Sequence, residues 1–334
     1  MGEKLQTQKV REYVKKYITD NLNPLKKHAL AKIIKAQEAK MFISYDIERI
    51  RSIIRKVTGN RGDELRERVT DKTLYESILN ELPETHKEPY DFYYLDKKYN
   101  NILSISDLHI PYQDDEAIAS ALEYGLQHEV NCIILLGDVM DLYQLSKFTK
   151  DPQKPHLSTE IKLTKEFFTT LRKNFPTQKI VYLISNHELR LPYYLRNNAP
   201  ELVDLDALTF QSILETDKFN IEVLKPFQLI KAGHLTMLHG HEVRLAGINV
   251  NPARSLFLKL KDNGLCGHSH RVSEHIESKL IDQYIGCYSQ GCLCELHPDY
   301  APVNNWCLGF SHIKTHENGM FSIYNKKIIN GMVL

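Results

Sequence analysis

The sequence lacks an apolar run long enough to cross a bilayer, which needs about 20 residues. Its first ten residues, MGEKLQTQKV, contain no apolar segment of the kind that directs export. Its six cysteines include no pair with the two-residue gap of a zinc knuckle. These absences argue against a membrane partner and a cysteine-held zinc, and they predict a cytoplasmic protein with reduced thiols.

Net charge is also small, at +1 for 334 residues, but the two ends of the chain differ. Residues 1–70 carry seventeen Lys and Arg against nine Asp and Glu, a net charge of +8, which leaves −7 for the remainder. A basic segment attached to an acidic body indicates a polyanionic partner such as nucleic acid. The alternative is that the charges lie on solvated helix faces and bind nothing.

The basic segment has the apolar spacing of short helices. Three stretches repeat apolar residues at helical intervals: Val10, Tyr13, Val14 and Tyr17, then Leu30, Ile33, Ile34 and Met41, then Ile47, Ile50, Ile53 and Ile54. Ser44 or Asp46 is suited to capping the third helix, and Gly59 to ending it. We therefore predict a small all-α module resembling a helix-turn-helix over residues 1–80, followed by a charged, proline-containing connector over 81–98.

From residue 99 the pattern changes to strands that alternate with helices. NNILSIS, NCIILLG and KIVYLIS are near-continuous apolar runs, typical of strands buried on both faces of a sheet. After residue 220 the strands are shorter and helices are scarce, which favours a second, mainly antiparallel sheet. Two packed mixed sheets flanked by helices predict a four-layer α/β/β/α sandwich over residues 99–334.

Polar side chains follow five of these predicted strands. The strand ends read SDLH, GDVMD, SNHE, HGH and GHSH, and they supply Asp107, His109, Asp138, Asp141, Asn186, His187, His239, His241, His268 and His270. In open α/β sheets, ligands bind at the carboxyl ends of the strands. One such end is unremarkable, but five in succession predict a shared site.

The residue types at these ends indicate metal chemistry. Carboxylate, imidazole and amide oxygen together suit manganese first, with iron or zinc as alternatives. Seven of the residues at these strand ends are candidate metal ligands. Seven ligands are too many for one ion and suit two ions that share a bridging carboxylate. Two metals about 3.5–4 Å apart can clamp a phosphoryl group and convert a bridging water to hydroxide.

The ordered motifs D-x-H, G-D-x-x-D, N-H-E, H-G-H and G-H-x-H resemble those of the calcineurin-like metallophosphoesterase superfamily. The resemblance covers residues of about 100–330. The stretches SDLHIPY, NHELRLPYYLRNNAPEL and GCLCELHPDYAP are most similar to phage and bacterial members that carry an N-terminal helical extension. The resemblance to the superfamily implies that residues 99–334 form a metallophosphoesterase domain.

The resemblance also implies which side chains hold metal. The first ion would be held by Asp107, His109 and His270, the second by Asn186, His239 and His268, and both by a bridging Asp138. The resemblance further implies two catalytic residues. His187 would contact the phosphate and protonate the leaving oxygen, and Asp141 would orient it. Arg190 and His241 are candidate substrate contacts.

One position departs from the family pattern. The third motif usually opens with glycine, and here it opens with Ser185. If that position requires a positive φ, serine would be strained there, and we expect a local backbone adjustment without loss of activity.

These features favour a phosphodiesterase or nuclease that acts on nucleic acid or nucleotides. Protein phosphatases of the superfamily carry a phosphate-gripping arginine in the second motif, where this chain has GDVMDLY. A phosphomonoesterase acting on protein or a small nucleotide is the second hypothesis. A non-catalytic nucleic-acid-binding adaptor is the third, and the complete ligand set argues against it. The sequence does not predict an oligomeric state.

Overall fold

The computed structural model describes residues 8–9, 11–13, 16, 27–37, 46–58, 78–86, 90–243, 250–280 and 284–334. The chain divides into two compact units, 1–88 and 89–334. Within the described residues no helix is long and apolar enough to cross a membrane.

The first unit contains α1 (Lys27–Gln37) and α2 (Ile47–Thr58). The apolar stripes of these two helices form one small core that contains Leu30, Ala31, Ile34, Ile50, Ile53 and Ile54. Asp46 caps α2, because its carboxylate accepts the Arg49 N–H at 2.6 Å. The predicted roles of Met41, Ser44 and Gly59 lie outside the described residues.

The second unit is built from thirteen strands and five helices among the described residues. The strands are β1 (Tyr93–Tyr94), β2 (Asn101–Ile105), β3 (Cys132–Leu135), β4 (Lys179–Tyr182), β5 (Ile221–Val223), β6 (Ile230–Ala232), β7 (Leu235–Leu238), β8 (Gly264–Cys266), β9 (Ser273–Ser278), β10 (Tyr284–Ser289), β11 (Gly309–Thr315), β12 (Phe321–Ile329) and β13 (Met332–Val333). The helices are α3 (Asp115–Gln127), α4 (Leu157–Asn174), α5 (Arg190–Asn198), α6 (Phe210–Leu214) and α7 (Pro252–Leu260). β1 lies in the segment predicted to be a connector, so part of that segment belongs to a sheet.

The strands form two mixed sheets. The first has seven strands in the order β13-β12-β11-β2-β3-β4-β5, and the second has six in the order β1-β6-β7-β8-β10-β9. β2, β3, β4 and β5 are mutually parallel, so the loops after them lie at one edge. β7 and β8 are also parallel and present their following loops together.

The core shows why this arrangement is four layers deep. Alternate residues of β3 face opposite sides: Ile133 and Leu135 pack with α3 and α4, whereas Cys132 and Ile134 pack against the second sheet. The outer face of the second sheet is covered by α7. The predicted α/β/β/α sandwich is therefore confirmed.

The expectation of a mainly antiparallel second sheet was wrong. In that sheet β1 with β6, β7 with β8 and β8 with β10 pair in parallel, and only two pairings are antiparallel. Four strands that follow residue 220, β5, β11, β12 and β13, belong to the first sheet instead. Local apolar periodicity identifies a strand but carries no information about its distant partner.

Candidate metal centre

All seven predicted metal ligands lie in loops that follow strands. Asp107 and His109 follow β2, Asp138 follows β3, Asn186 follows β4, His239 follows β7, and His268 and His270 follow β8. Two sheets therefore contribute to one group of side chains. The isolated bridge between Ile110 and Met140 ties the loops after β2 and β3 to each other.

The backbone of these loops is held in an uncommon conformation. Five of the seven residues have positive φ values between 48° and 62°: Asp107, His109, Asp138, His268 and His270. Non-glycine residues in this region cost of the order of 1–3 kcal/mol each and persist where the surrounding structure imposes them, often at functional sites.

Three atoms mark one half of the centre. Nε2 of His270 lies 3.2 Å from Nε2 of His109 and 3.2 Å from Oδ1 of Asp107. Two ligands with bonds of about 2.0–2.1 Å to one metal lie roughly 3 Å apart. Both distances are those of neighbouring ligands on one ion, and by distance alone Cys294 also groups with His109 and His270 as a candidate ligand.

A second group of atoms marks the other half. Nε2 of His239 lies 3.2 Å from Nδ1 of His268 and 3.2 Å from Oδ2 of Asp138. The other ring nitrogen of His239 lies 2.8 Å from the Leu136 carbonyl, to which its N–H donates. That hydrogen bond leaves Nε2 free to act as a ligand.

Asp138 lies between the two halves. Its Oδ2 is 3.2 Å from Nε2 of His239 and 3.8 Å from Nε2 of His109, so one carboxylate reaches histidines of both groups. This is the placement that a bridging ligand requires.

Asn186 contributes an independent observation. Its Oδ1 is buried and accepts no hydrogen bond from any residue that the structure describes. Buried polar atoms without partners are rare, and an amide oxygen is a suitable ligand for a divalent ion. The donor set and this unpaired oxygen together fit a divalent metal site.

Opposite charges dominate the electrostatics of the centre. Burial alone would raise the pKa of Asp107, but the imidazoles of His270 and His239 hold it well below its ordinary range. Burial would lower the pKa of His239, yet Asp138 and Asp107 raise it to about 10. The pKa of His270 is likewise raised to about 10, by Asp107 against the effect of burial.

These raised pKa values predict pH-dependent metal binding. A group with a raised pKa holds its proton through neutral pH, so an ion must displace protons from His239 and His270. We expect the apparent affinity for Mn²⁺ to increase with pH between 6 and 8.5, by about tenfold per unit for each displaced proton. Competition titration with a chelator measures this dependence, and an affinity that falls with rising pH would contradict the assignment.

His187 and Asp141 form a pair beside the centre. Nδ1 of His187 lies 2.8 Å from the backbone oxygen of Asp141 and 3.3 Å from its carboxylate. Burial acts against a positive charge on His187, but the carboxylates of Asp138 and Asp141 outweigh it and raise its pKa. Nε2 of His187 lies 3.8 Å from Oδ2 of Asp138, so it is directed into the centre. By distance alone, His187 also groups with His109 and Asp138 as a candidate ligand.

Asp141 has a second contact that the sequence did not predict. Its Oδ1 lies 3.1 Å from Nδ1 of His109, so one carboxylate orients both a predicted ligand and the predicted acid. Carboxylates behind metal-bound imidazoles commonly fix the ring and its tautomer.

The two candidate substrate contacts lie beside different histidines of the site: Arg190 lies beside His187, and His241 lies beside His239. Nη1 of Arg190 donates to the Asp141 backbone oxygen at 2.6 Å, and its Nη2 lies 3.1 Å from Nε2 of His187. The ring of His241 lies 5.6 Å from that of His239, and its Nδ1 lies 3.4 Å from the Glu242 carboxylate, but among the described residues neither of its nitrogens has a hydrogen-bond partner.

Two positioning residues received no role from the sequence. Glu188 is buried and accepts the N–H groups of Asp138 at 3.2 Å and Val139 at 2.9 Å, which fixes the loop after β3. Ser185 accepts the Asp138 N–H at 2.8 Å, and its hydroxyl contacts the carboxylates of Asp138 and Glu188. Ser185 is not among the positive-φ residues, so the strain considered for it is absent. The N-H-E motif was the available signal for Glu188.

No family model matches the chain. The gene 54 protein of Mycobacterium phage L5 is 29% identical over 178 residues, which cover 51% of this chain and 69% of that protein. The gene 54 protein of Mycobacterium phage D29 is 28% identical over 178 residues, which cover 51% of this chain and 69% of that protein. The phage source of both agrees with the resemblance to phage-encoded proteins.

Solved structures are similar at lower identity. Vps29 from Cryptosporidium parvum shares 15% identity with a TM-score of 0.40, covering 70% of this chain and 94% of that chain. The nuclease MPE of Pseudomonas putida shares 14% identity with a TM-score of 0.30, covering 63% and 82%. The phosphoesterase YfcE from E. coli shares 13% identity with a TM-score of 0.35, covering 67% and 98%.

Proposed function

We propose, from the premise that this chain resembles the calcineurin-like metallophosphoesterases in its motif order and layered fold, that it is a dinuclear metal-dependent phosphoric ester hydrolase. Its substrate class in this proposal is the phosphodiester of nucleic acid or of a nucleotide. We expect it to act in a cytoplasm, where its six free thiols stay reduced.

The observation that carries the proposal is the convergence of five loops from two sheets. They bring carboxylate and imidazole groups to within about 3.2 Å of one another, and they add a buried, unpaired amide oxygen on Asn186. The carboxylates in this set are costly to bury unless positive charge lies beside them. Divalent cations are the ligands that this set accepts.

Each side chain has a proposed task. Two bound divalent ions, manganese first and iron or zinc as alternatives, would supply positive charge to the phosphate oxygens and a water of lowered pKa. Asp107, His109 and His270 would hold one ion, Asn186, His239 and His268 the other, and Asp138 both.

His187 would supply the proton that the leaving oxygen needs. The charges of Asp138 and Asp141 raise the pKa of His187, which favours its protonated form, and Asp141 holds the ring from Nδ1. A positioned acid with a pKa near the working pH is the effective form of this catalyst. Arg190, whose side chain is 19% exposed beside His187, can donate to a phosphate oxygen there.

The second candidate is a phosphomonoesterase, and the third is a non-catalytic adaptor. All three share the ligand set, and the basic first unit favours a nucleic acid over a small monoester. Hydrolysis of bis-p-nitrophenyl phosphate by the full chain with Mn²⁺, and its loss with a chelator, would support the diesterase. Turnover of p-nitrophenyl phosphate alone would favour the monoesterase, and turnover of neither would overturn the enzymatic proposal.

The first unit is proposed to contact the nucleic acid. Its apolar side chains pack between α1 and α2, while Lys32, Arg49 and Arg55 are exposed. With a net charge of +8 over residues 1–70, this unit can neutralise phosphates.

Removing residues 1–88 tests this role. The cut leaves every strand of both sheets, since β1 begins at Tyr93. We expect the truncated chain to hydrolyse the small chromogenic diester, but to bind long DNA or RNA weakly. The affinity of the intact chain should fall steeply with salt, with a slope of about −0.9 per phosphate neutralised on duplex DNA. Equal affinity of both forms across a salt series would exclude a nucleic-acid role for the unit.

A further inference from the structure

An aromatic surface lies next to the metal centre. Trp306 is the only tryptophan in the sequence, and its ring centroid lies 4.1 Å from that of His270. Tyr300 lies 6.2 Å from Trp306 and is 76% exposed. These two side chains, termed the aromatic rim, connect a predicted ligand to solvent.

The rim is held in place by its own loop. The Asn304 side chain donates to the carbonyls of Leu296 and Ala301, and its Oδ1 accepts the backbone N–H of Trp306 at 2.8 Å. Asp299 accepts a 2.7 Å contact from Lys154 of another loop. A loop with these bonds presents the rings in a defined orientation, so little ordering is needed on binding.

The rim also lies close to the groups that face the phosphate. Partial burial raises the pKa of Tyr300, the charge of Asp141 raises it further, and the charge of Arg190 opposes this. The rings give the same proximity as distances between centroids: Trp306 lies 4.1 Å from His270, His270 lies 5.1 Å from His109, and His109 lies 4.5 Å from His187. One ligand can therefore contact both the rim and the His187 side of the centre.

A packing role for Trp306 explains only part of this arrangement. The edge contact of Trp306 with His270 gives no reason for the largely exposed Tyr300 beside it. Exposed aromatic groups beside a charged cleft are typical of surfaces that stack bases.

We infer that the aromatic rim binds the base of the nucleotide whose phosphate lies at the metal centre. This inference rests on the proposed function and adds a substrate class to it: an unpaired nucleotide, either free or in a single strand. A base must leave its duplex to stack on a protein ring, so single strands should be preferred over duplexes. Stacking is tolerant of base identity because every base has an aromatic face.

The test compares two esters with one leaving group. The p-nitrophenyl ester of thymidine 5′-monophosphate carries a base, and p-nitrophenyl ethyl phosphate does not. With Mn²⁺, the full chain should show a higher kcat/KM for the thymidine ester, by roughly 5- to 150-fold if one base stacks. Trp306→Leu should remove most of this preference, whereas Trp306→Phe should retain most of it.

Two further variants guard against misfolding and general effects. Tyr300→Leu changes the rim without touching His270 and should reduce the preference in part. Tyr94→Leu replaces an equally exposed tyrosine on the edge strand β1 and should leave the preference unchanged.

Fluorescence supplies a readout that does not depend on turnover. Because Trp306 is the sole tryptophan, thymidine 5′-monophosphate should quench it and deoxyribose 5-phosphate should not. If a single-stranded oligonucleotide quenches more strongly than the mononucleotide, the rim binds a base within a strand. If the mononucleotide quenches more strongly, the rim binds the base of a free nucleotide. Either order supports a base site.

The outcomes separate the two proposals. If the wild type hydrolyses neither ester, the proposed function fails. If it hydrolyses both equally well, or if Trp306→Leu lowers both rates by the same factor, the base site is overturned and the phosphoesterase stands.

Discussion

Replacing Asp138 with asparagine is expected to abolish metal loading and turnover together. The carboxylate reaches His239 at 3.2 Å and His109 at 3.8 Å, so its charge serves both halves of the centre. Asparagine keeps the size and the Oδ1 acceptor, and it tolerates the left-handed backbone at this position, where φ is 50°. The rate should fall by more than the roughly 10²–10⁴-fold expected from losing a general acid.

Metal analysis beside turnover measures this effect. The protein is loaded with Mn²⁺, freed of excess by gel filtration and assayed for manganese per chain. Asp114→Asn is the matched control, because Asp114 caps α3 through the Ala117 N–H and asparagine caps helices equally well. Wild-type manganese content in Asp138→Asn would contradict the bridging role.

Replacing His187 with alanine is expected to leave both ions bound and to slow turnover by about 10²–10⁴-fold. In this account His187 contacts the leaving oxygen and not the metals. The loss should be larger for substrates with alkoxide leaving groups than for p-nitrophenyl esters, because p-nitrophenolate departs with little need of a proton.

The distinguishing measurement is again metal content with kcat for a series of leaving groups. His234→Ala provides a control at an exposed histidine whose Nε2 donates to the Asn318 carbonyl at 3.1 Å. Loss of manganese equal to that of Asp138→Asn would show that His187 is a ligand and would overturn its assignment as the acid.

Local pattern predicted a large part of this fold. The apolar runs that became β2, β3 and β4 were readable because a strand buried on both faces needs continuous apolar residues. The site residues could be predicted because carboxylates and imidazoles follow several of these buried strands, and such residues in succession indicate a shared functional site.

Pairing over long distances could not be read in this way. β2 pairs with β11 through contacts such as His312 with Leu103, which are far apart in the sequence. Nothing in the apolar period of β11 distinguishes the first sheet from the second. Its place depends on the packing of the whole unit.

The backbone conformation of the site could not be predicted from the sequence either. Sequence rules assign positive φ to glycine, but here Asp107, Asp138 and His268 adopt it. The tertiary structure imposes that conformation through contacts such as those of Glu188 with the loop after β3. Trp306 was also missed, because only the folded loop brings it against His270.

Anomalous diffraction from crystals soaked in manganese would show directly whether the centre binds two ions. Two manganese peaks about 3.5–4 Å apart are expected. One peak should lie against His109 and His270, the other against His239 and His268. Asp138 should contact both. A single peak, or peaks that lie away from these side chains, would contradict a dinuclear centre.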